Sequence, residues 1–133
     1  YAPEGPVGYG KAGSFEGFCS GGGIRQLSGV SAKETVEGAA RGDQAMIAAL
    51  DESGRALGMA CAELMDLFNP ERIVIGSIFT RSENWFRSKM EEIISKEALP
   101  HTRGVCQVVP AVLGDRVGDI AALSAAMREQ EDI

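Results

Sequence analysis

One carboxylate, Glu16, lies in a segment of the chain, residues 8 to 24, in which glycine is the commonest residue. An ionised carboxylate accepts hydrogen bonds from two or more donors, and hydrogen bonds to a charged acceptor are the strong ones. Glycine allows positive φ and close approach of another backbone. Two plainer interpretations stay open. Glu16 could stabilise its own helix start through the helix dipole, or the glycines and nearby prolines could form a flexible leader without function.

Side chains that bind transition metals are few and scattered along the chain. They are Cys19, Cys61, Cys106 and the only histidine, His101. A structural zinc site needs about four Cys or His ligands, and no C-x-x-C or H-x-x-x-H spacing occurs here. We therefore expect no zinc, and we expect His101 to be a solvated loop residue. Three unpaired cysteines fit a reducing cytoplasm, which is the location we expect.

The elements that must position Glu16 are predicted less sharply than those further along. Residues 1–13 form a loop, on their glycine and proline density. A helix is expected from Ser14 to Leu27, although Gly21–Gly23 weaken it because each glycine costs a helix interior about 0.5–1 kcal/mol. Three glycines in a row indicate that another backbone, or a ligand, lies close to them.

Helix boundaries after residue 30 have clear signals. Ser31 and Glu34 form a capping box, and Gly42 suits the left-handed position that ends a helix. Asp43 then caps a long helix, which must end before Pro70. Two glycines four residues apart in this helix, at 54 and 58, permit close packing against a neighbour. Its apolar stripe consists of Met46, Leu50, Leu57, Ala60, Cys61, Leu64 and Phe68.

Beyond Pro70, two strands alternate with two helices. Residues 72–76 are a β-branched strand predicted to be buried on both faces, and residues 105–109 form a second strand. Thr80 and Glu83 form another capping box, and Pro100 closes the helix that it starts. The last helix runs from Val117 to Glu129. Residues expected to point inward are Phe86, Met90, Ile93 and Ile94 on the first of these helices, and Val117, Ile120, Ala121 and Met127 on the second.

Composition limits the functional classes. The 133 residues suffice for one domain, 1–133, and 44% hydrophobic with 24% charged residues is ordinary for a globular protein. A net charge of −6 argues against a nucleic-acid-binding face. No apolar run approaches the roughly 20 residues of a membrane-spanning helix. The chain begins with Tyr1 followed by loop-like sequence, so we expect a piece of a longer protein.

The glycine-rich segment resembles the signature of the ROK family (repressors, uncharacterised reading frames and sugar kinases). The fuller form of that signature is C-x-C-G-x-x-G-C-x-E, followed by a helix with a Ser-Gly pair. Gly10, Gly13 and Glu16 match it, and so does the pair at residues 20–21.

The metal-binding cysteines of the signature fall on Val7, Tyr9 and Ser14. The scaffold of the motif is therefore present without its zinc ligands. We expect apolar contacts of Val7 and Tyr9 to fill the volume of the metal.

The resemblance continues through most of the chain. Residues 69–71, Asn-Pro-Glu, end the long helix as in the family, and residues 73–76 resemble the strand with the I-V-I-G-G motif. Ser77 replaces the second glycine of that motif. Residues 109–115, Val-Pro-Ala-Val-Leu-Gly-Asp, resemble the terminal P-A-x-L-G-D segment.

The family resemblance implies an α/β fold, a partial actin-like ATPase (ribonuclease H-like) lobe that is helix-rich with a small sheet. It also implies the C-terminal part of a glucokinase-like enzyme that phosphorylates a hexose or N-acetylhexosamine with ATP and Mg. By resemblance Glu16 binds sugar hydroxyls. By resemblance Gly76 and Ser77 are also expected to contact the adenosine of ATP, and they lie where open α/β sheets place ligands. A plain strand-to-loop glycine is the alternative at Gly76.

No candidate catalytic residue is found in this chain. It has no D-x-G-x-T hairpin, no catalytic aspartate motif and no E-x-G-H motif, so we expect the chain alone to be inactive. An N-terminal lobe of the same protein and a second copy in a homodimer are the expected partners, with no membrane or nucleic acid. Two alternatives remain: the sugar-sensing body of a ROK-type transcriptional regulator, and a non-catalytic dimerising module.

Overall fold

A computed structural model describes residues 2–131, except for the side chains of residues 115 and 128–131. This part of the chain has seven helices and two small sheets. The elements in chain order are β1 (Val7–Gly8), β2 (Lys11–Ala12), α1 (Phe15–Cys19), α2 (Gly21–Ser28), α3 (Ala32–Ala40), α4 (Gln44–Phe68), β3 (Arg72–Ile75), α5 (Ile78–Glu97), α6 (Pro100–Val105), β4 (Gln107–Pro110), a 3₁₀ turn (Gly114–Arg116) and α7 (Val117–Glu131).

The core lies between α4 and α5. A Cβ added at Gly54 would lie 3.1 Å from the carbonyl oxygen of Phe86, and one at Gly58 would lie 2.7 Å from that of Met90. The predicted close packing at these two glycines is thus confirmed, and α5 is the neighbour. The largest fully buried side chains around this contact are Phe79, Phe86, Ile24, Leu50, Met65 and Met90.

The N-terminal helix predicted over residues 14–27 is two helices. Ser20 has extended backbone (φ −98°, ψ 161°), which separates α1 from α2, and its hydroxyl accepts a hydrogen bond from the Gly23 amide at 3.0 Å. A Cβ at Gly23 would lie 1.5 Å from the Gly17 carbonyl oxygen, so the glycine run allows two backbones to touch. The single helix was wrong because a serine in mid-segment caps a new helix.

The capping signals of the next two helices are confirmed. Ser31 and Glu34 form both bonds of the capping box, and the Asp43 carboxylate accepts from the amides of residues 45 and 46. Gly42 has a φ of 85°, and α4 ends at Asn69, which is left-handed, directly before Pro70.

The capping box predicted at Thr80 is not formed. The Thr80 hydroxyl donates to the Ile75 carbonyl oxygen at 3.2 Å, and Glu83 pairs with Arg87 instead. Helix α5 begins at Ile78 and is interrupted at Ser82 (φ −138°, ψ 26°). Both partners of the box were taken by contacts outside the first helical turn.

Pro100 does not merely close α5 but opens the short helix α6. It stands at the first helical position, where its missing N–H is not needed. The Asp66 carboxylate of α4 accepts from the Leu99 amide at 3.0 Å and from the Thr102 hydroxyl at 2.5 Å. As a result, the second strand starts two residues later than predicted, at Gln107.

β3 and β4 are parallel, with Ile73 opposite Val108 and Ile75 opposite Pro110. The prediction that β3 is buried on both faces was wrong. Ile73 and Ile75 are half-buried, whereas Arg72 and Val74 are exposed, because within residues 2–131 this sheet has one packed face and only two strands.

The inward face predicted for the last helix is also wrong for the described side chains. Val117 is 56% and Met127 69% exposed, Ala121 is exposed, and Ile120 is only partly buried. Helix α7 therefore forms without a buried stripe of its own. Among residues 2–131 no helix is both long and apolar enough to cross a membrane.

Candidate functional site

Glu16, Gly76 and Ser77, which are far apart in sequence, line one open cavity of about 230 Å³. The cavity lies where the start of α1 meets the carboxyl end of β3 and the first turn of α5. Its wall is mostly apolar, with a single acidic side chain. The other lining residues are Phe15, Cys19, Ser53, Leu57, Ile75, Ile78, Phe79 and Phe86.

The position of Glu16 follows from the tight loop before it. The Ser14 hydroxyl accepts from the Gly17 amide at 3.1 Å and caps α1, so Glu16 falls in the first turn with an exposed side chain. A Cβ at Gly17 would lie 2.1 Å from the Pro6 carbonyl oxygen. The loop thus presses on the backbone beside Glu16, and only glycine fits there.

Ser77 follows β3 in an unusual conformation, with φ 56° and ψ −130°. This region of positive φ favours glycine and strains a residue that has a Cβ. The resembling motif has glycine at this place, where this chain has serine. Gly76 and Ser77 are both exposed, as a ligand contact at this edge requires.

Behind Ser77, the first turn of α5 is anchored to the core. Phe79 is 2% exposed and its ring stacks on that of Phe86 at 6.4 Å. The Arg87 guanidinium lies 5.8 Å from the centre of the Phe79 ring and donates to the Val108 carbonyl oxygen at 3.1 Å. The strained segment is therefore held from β4 and from the core rather than by a helix cap.

A second cavity of about 510 Å³ shares Ser77 and Ile78 with the first. Sequence reasoning missed it, because its far wall comes from α3, whose pattern shows only a capped amphipathic helix. The remaining lining residues are Gly21, Ala32, Lys33, Val36, Glu37, Arg81 and Ser82.

Burial keeps the thiols beside the first cavity protonated. Desolvation raises the pKa of Cys19 to about 12, with smaller contributions from Cys61 and Glu16, and the thiol donates to the Ser53 carbonyl oxygen at 3.7 Å. Desolvation likewise raises the pKa of Cys61 to about 12. These cysteines are packing residues and not nucleophiles at neutral pH.

The positions that resemble zinc ligands do not fit a metal. Val7 has no donor side chain, Tyr9 is 95% exposed, and the Ser14 hydroxyl is used in capping α1. The prediction that apolar contacts of Val7 and Tyr9 fill the volume was wrong, since Val7 is 49% exposed and the Tyr9 side chain lies almost wholly in solvent. Within the described part of the chain no group of three or more His, Cys, Asp or Glu could hold a metal ion.

His101 is exposed, as predicted, but it lies on α6 and not in a loop. It lines neither of the two cavities.

Comparison with known proteins identifies a family and a fold. The profile of the ROK family matches residues 2–129. No curated protein matches the sequence significantly.

Three solved structures cover most of the chain. The match to a ROK family transcriptional regulator, a homologue of the E. coli MLC protein, has 26% identity and a TM-score of 0.68, and it covers 82% of this chain and 32% of the regulator. The match to a ROK family glucokinase from Streptomyces griseus, in complex with glucose and AMPPNP, has 21% identity and a TM-score of 0.72. It covers 88% of this chain and 46% of the glucokinase.

The third is designated a candidate sugar kinase from Cytophaga hutchinsonii, with 15% identity, a TM-score of 0.74, and coverages of 94% and 47%. The chain thus spans between a third and a half of the length of these structures.

Proposed function

The chain belongs to the ROK family, and from that membership we propose that it forms the C-terminal part of an ATP-dependent sugar kinase. Its fold is part of an actin-like α/β lobe. The observation that carries the proposal is the shared cavity of Glu16, Gly76 and Ser77. A hexose or N-acetylhexosamine is the proposed acceptor, bound with an N-terminal lobe of the same protein.

The first cavity is proposed to bind the sugar. An exposed carboxylate beside apolar and aromatic walls suits a sugar, which presents hydroxyl edges and C–H faces. Glu16 would accept hydrogen bonds from two hydroxyls, while Phe15 covers a C–H face. The glucose bound by the Streptomyces griseus glucokinase supports a sugar of this class.

The second cavity is proposed to bind the nucleotide. Its volume lies in the range of about 300–1,000 Å³ that is usual for ligand pockets. Val36 and Ile78 offer apolar contact to a purine, and Lys33 brings a positive charge that suits phosphates. Ser77 borders both cavities, so the two ligands would approach each other there.

The chemistry itself is proposed to need residues outside these 133. Mg-ATP would donate its γ-phosphoryl group to a sugar hydroxyl whose proton an aspartate accepts, and no such motif occurs in this sequence. We therefore expect this chain alone, given Mg-ATP and hexoses, to form no sugar-dependent ADP. A cytoplasmic homodimer is proposed for the intact protein.

The test is sugar binding by the full-length protein, with glucose as the probe. Glu16→Gln removes the charge and turns one acceptor into a donor, so calorimetry should show glucose binding roughly 10- to 100-fold weaker. Glu4→Gln is the matched control, since Glu4 is exposed in the loop before α1 and lines neither cavity. Equal losses in both variants, or none at Glu16, would contradict the proposed sugar contact.

A sugar-sensing regulator is the second candidate, favoured by the 26% identity to a ROK transcriptional regulator. Both candidates bind sugar, but only a kinase needs the nucleotide. Binding of AMPPNP that Lys33→Glu weakens, with glucose still bound, would favour the kinase, because Lys33 lines only the second cavity. Glucose binding without any nucleotide affinity would favour the regulator.

A further inference from the structure

The side-chain amide of Gln26, on α2, makes two opposed hydrogen bonds with the backbone of Val7. Val7 N donates to Oε1 at 2.8 Å, and Nε2 donates to the Val7 carbonyl oxygen at 2.9 Å. Nε2 also lies 3.3 Å from the Gly22 carbonyl oxygen. The amide pairs with β1 as a neighbouring strand would, and it needs both a donor and an acceptor to do so.

The residue after Val7 touches Glu16. A Cβ at Gly8 would lie 2.8 Å from Cγ of Glu16 and 2.5 Å from the Gly17 amide nitrogen. The Ser14 hydroxyl also donates to the Gly8 carbonyl oxygen at 3.3 Å. Strand β1 is thus the surface against which the Glu16 side chain rests, and a shift of β1 would release that side chain.

The loop that contains β1 has little structure of its own. β1 and β2 pair over two residues each, and a small isolated hairpin is marginally stable in water. Helix α2, by contrast, is fixed to α1 at the contact of Gly23 with Gly17. Gln26 therefore connects a weak hairpin to a firmly packed helix.

We infer that Gln26 is a positioning residue whose amide fastens the glycine loop where the ROK signature has zinc ligands, and so holds Glu16 at the first cavity. The role of Glu16 in this inference rests on the proposed sugar site. Val7, Tyr9 and Ser14 supply no metal ligand set, whereas the hydrogen bonds of Gln26 act on Val7 itself.

The test compares Gln26→Glu with Gln44→Glu in the full-length protein. The Gln26→Glu carboxylate has the same shape, yet it repels the Val7 carbonyl oxygen at neutral pH. Gln44 is an exposed glutamine whose Nε2 donates to the Gly42 carbonyl oxygen at 3.1 Å, away from the loop. We expect only Gln26→Glu to speed hydrogen exchange at the Val7 amide, about tenfold.

Two further readouts separate positioning from a general loss of structure. The nuclear Overhauser effect between Gly8 and the Glu16 methylene should weaken in Gln26→Glu, while exchange at the buried Met90 amide stays unchanged. Glucose affinity should fall roughly tenfold. All three effects should reverse, relative to wild type at the same pH, below about pH 4, where the protonated carboxyl regains its donor.

Unchanged Val7 exchange, or rapid exchange with an intact Gly8–Glu16 contact, would overturn the inference. If Gln26→Glu also speeds exchange at the Met90 amide, the variant Gln26→Met decides, because it keeps the side-chain stem without either hydrogen bond. It must then show the same faster exchange at Val7 and the same weaker Overhauser effect between Gly8 and Glu16. Wild-type protein that fails to bind both glucose and N-acetylglucosamine would count against the proposed function alone, because the exchange and Overhauser measurements need no ligand.

Discussion

Ser77 carries a cost that only a three-dimensional constraint explains. It adopts a positive φ that a glycine would adopt freely. The residue lines the first cavity. Strained residues concentrate at binding sites, where surrounding structure holds them in place.

Relief of strain should make Ser77→Gly more stable than wild type. The positive φ costs a residue with a Cβ on the order of 1–3 kcal/mol, and the entropy that glycine gains on unfolding offsets part of that. We expect a net gain of about 1 kcal/mol in the free energy of unfolding, measured by urea denaturation. Ser77→Ala keeps the Cβ and should match wild type; equal gains in both variants would show that strain is not the cause.

The buried thiols should make the fold sensitive to alkali. Burial raises the pKa of Cys19 and of Cys61 from 9.0 in the unfolded chain to about 12. The unfolded state therefore loses these protons first, and stability is full below pH 9.0 and declines between 9.0 and about 12. Urea midpoints measured across this range should fall less steeply for Cys19→Ala; an identical slope would argue against a buried thiol.

Among the elements, capping signals decided boundaries except where another nearby group competed for the same side chains. The caps at Ser31 and Asp43 formed, with both side chains accepting from amides of the first helical turn. The box at Thr80 failed because its hydroxyl donates to the Ile75 carbonyl oxygen and its glutamate pairs with Arg87 of the same helix. A cap is worth about 1 kcal/mol, which a competing hydrogen bond or ion pair can match.

The contact of α4 with α5 depends on the absence of a side chain at Gly58. A methyl group there would lie 2.7 Å from both Cβ of Ile93 and the Met90 carbonyl oxygen, so the helices must separate. We expect Gly58→Ala to lower the free energy of unfolding by about 1–3 kcal/mol. Gly104→Ala is the control, because no atom lies within 4 Å of a Cβ added there, and it should be neutral or slightly stabilising. Thermal melts of both variants and of wild type measure these changes.

Among the described residues, part of the apolar surface is packed in the core and part is exposed to solvent. The stripe from Phe86 to Ile94 packs on α4, whereas Leu67 and Phe68 at the end of α4 are 74% and 71% exposed. Helix α7 and the outer face of β3 are uncovered as well. Exposed apolar surface of this extent is typical of a face that meets another part of a protein or another chain.

This surface should drive self-association when the chain is produced alone. Sedimentation at tens of micromolar should show species larger than a monomer, and Leu67→Ser with Phe68→Ser should shift the distribution toward monomer. Leu50→Ser would be uninformative because Leu50 is buried; Glu63→Ser, on the same helix, is the matched control. A clean monomer for wild type would contradict this expectation.

The amino-acid order alone was enough for the caps of α3 and α4, the left-handed stops at Gly42 and before Pro70, and the glycine contact within α4. Each of these signals acts within a turn or two of its own helix. The predicted roles of Glu16, Gly76 and Ser77 came from the resemblance and stay predictions.

Only the tertiary structure decided which distant residues meet. The packing of α4 on α5 and the parallel register of β3 with β4 bring the end of β3 to the start of α1. Local patterns cannot encode that meeting, since it depends on contacts between side chains far apart in sequence. For the same reason the exposed faces of β3 and α7, the second cavity and the Gln26–Val7 pairing were outside the reach of pattern and spacing.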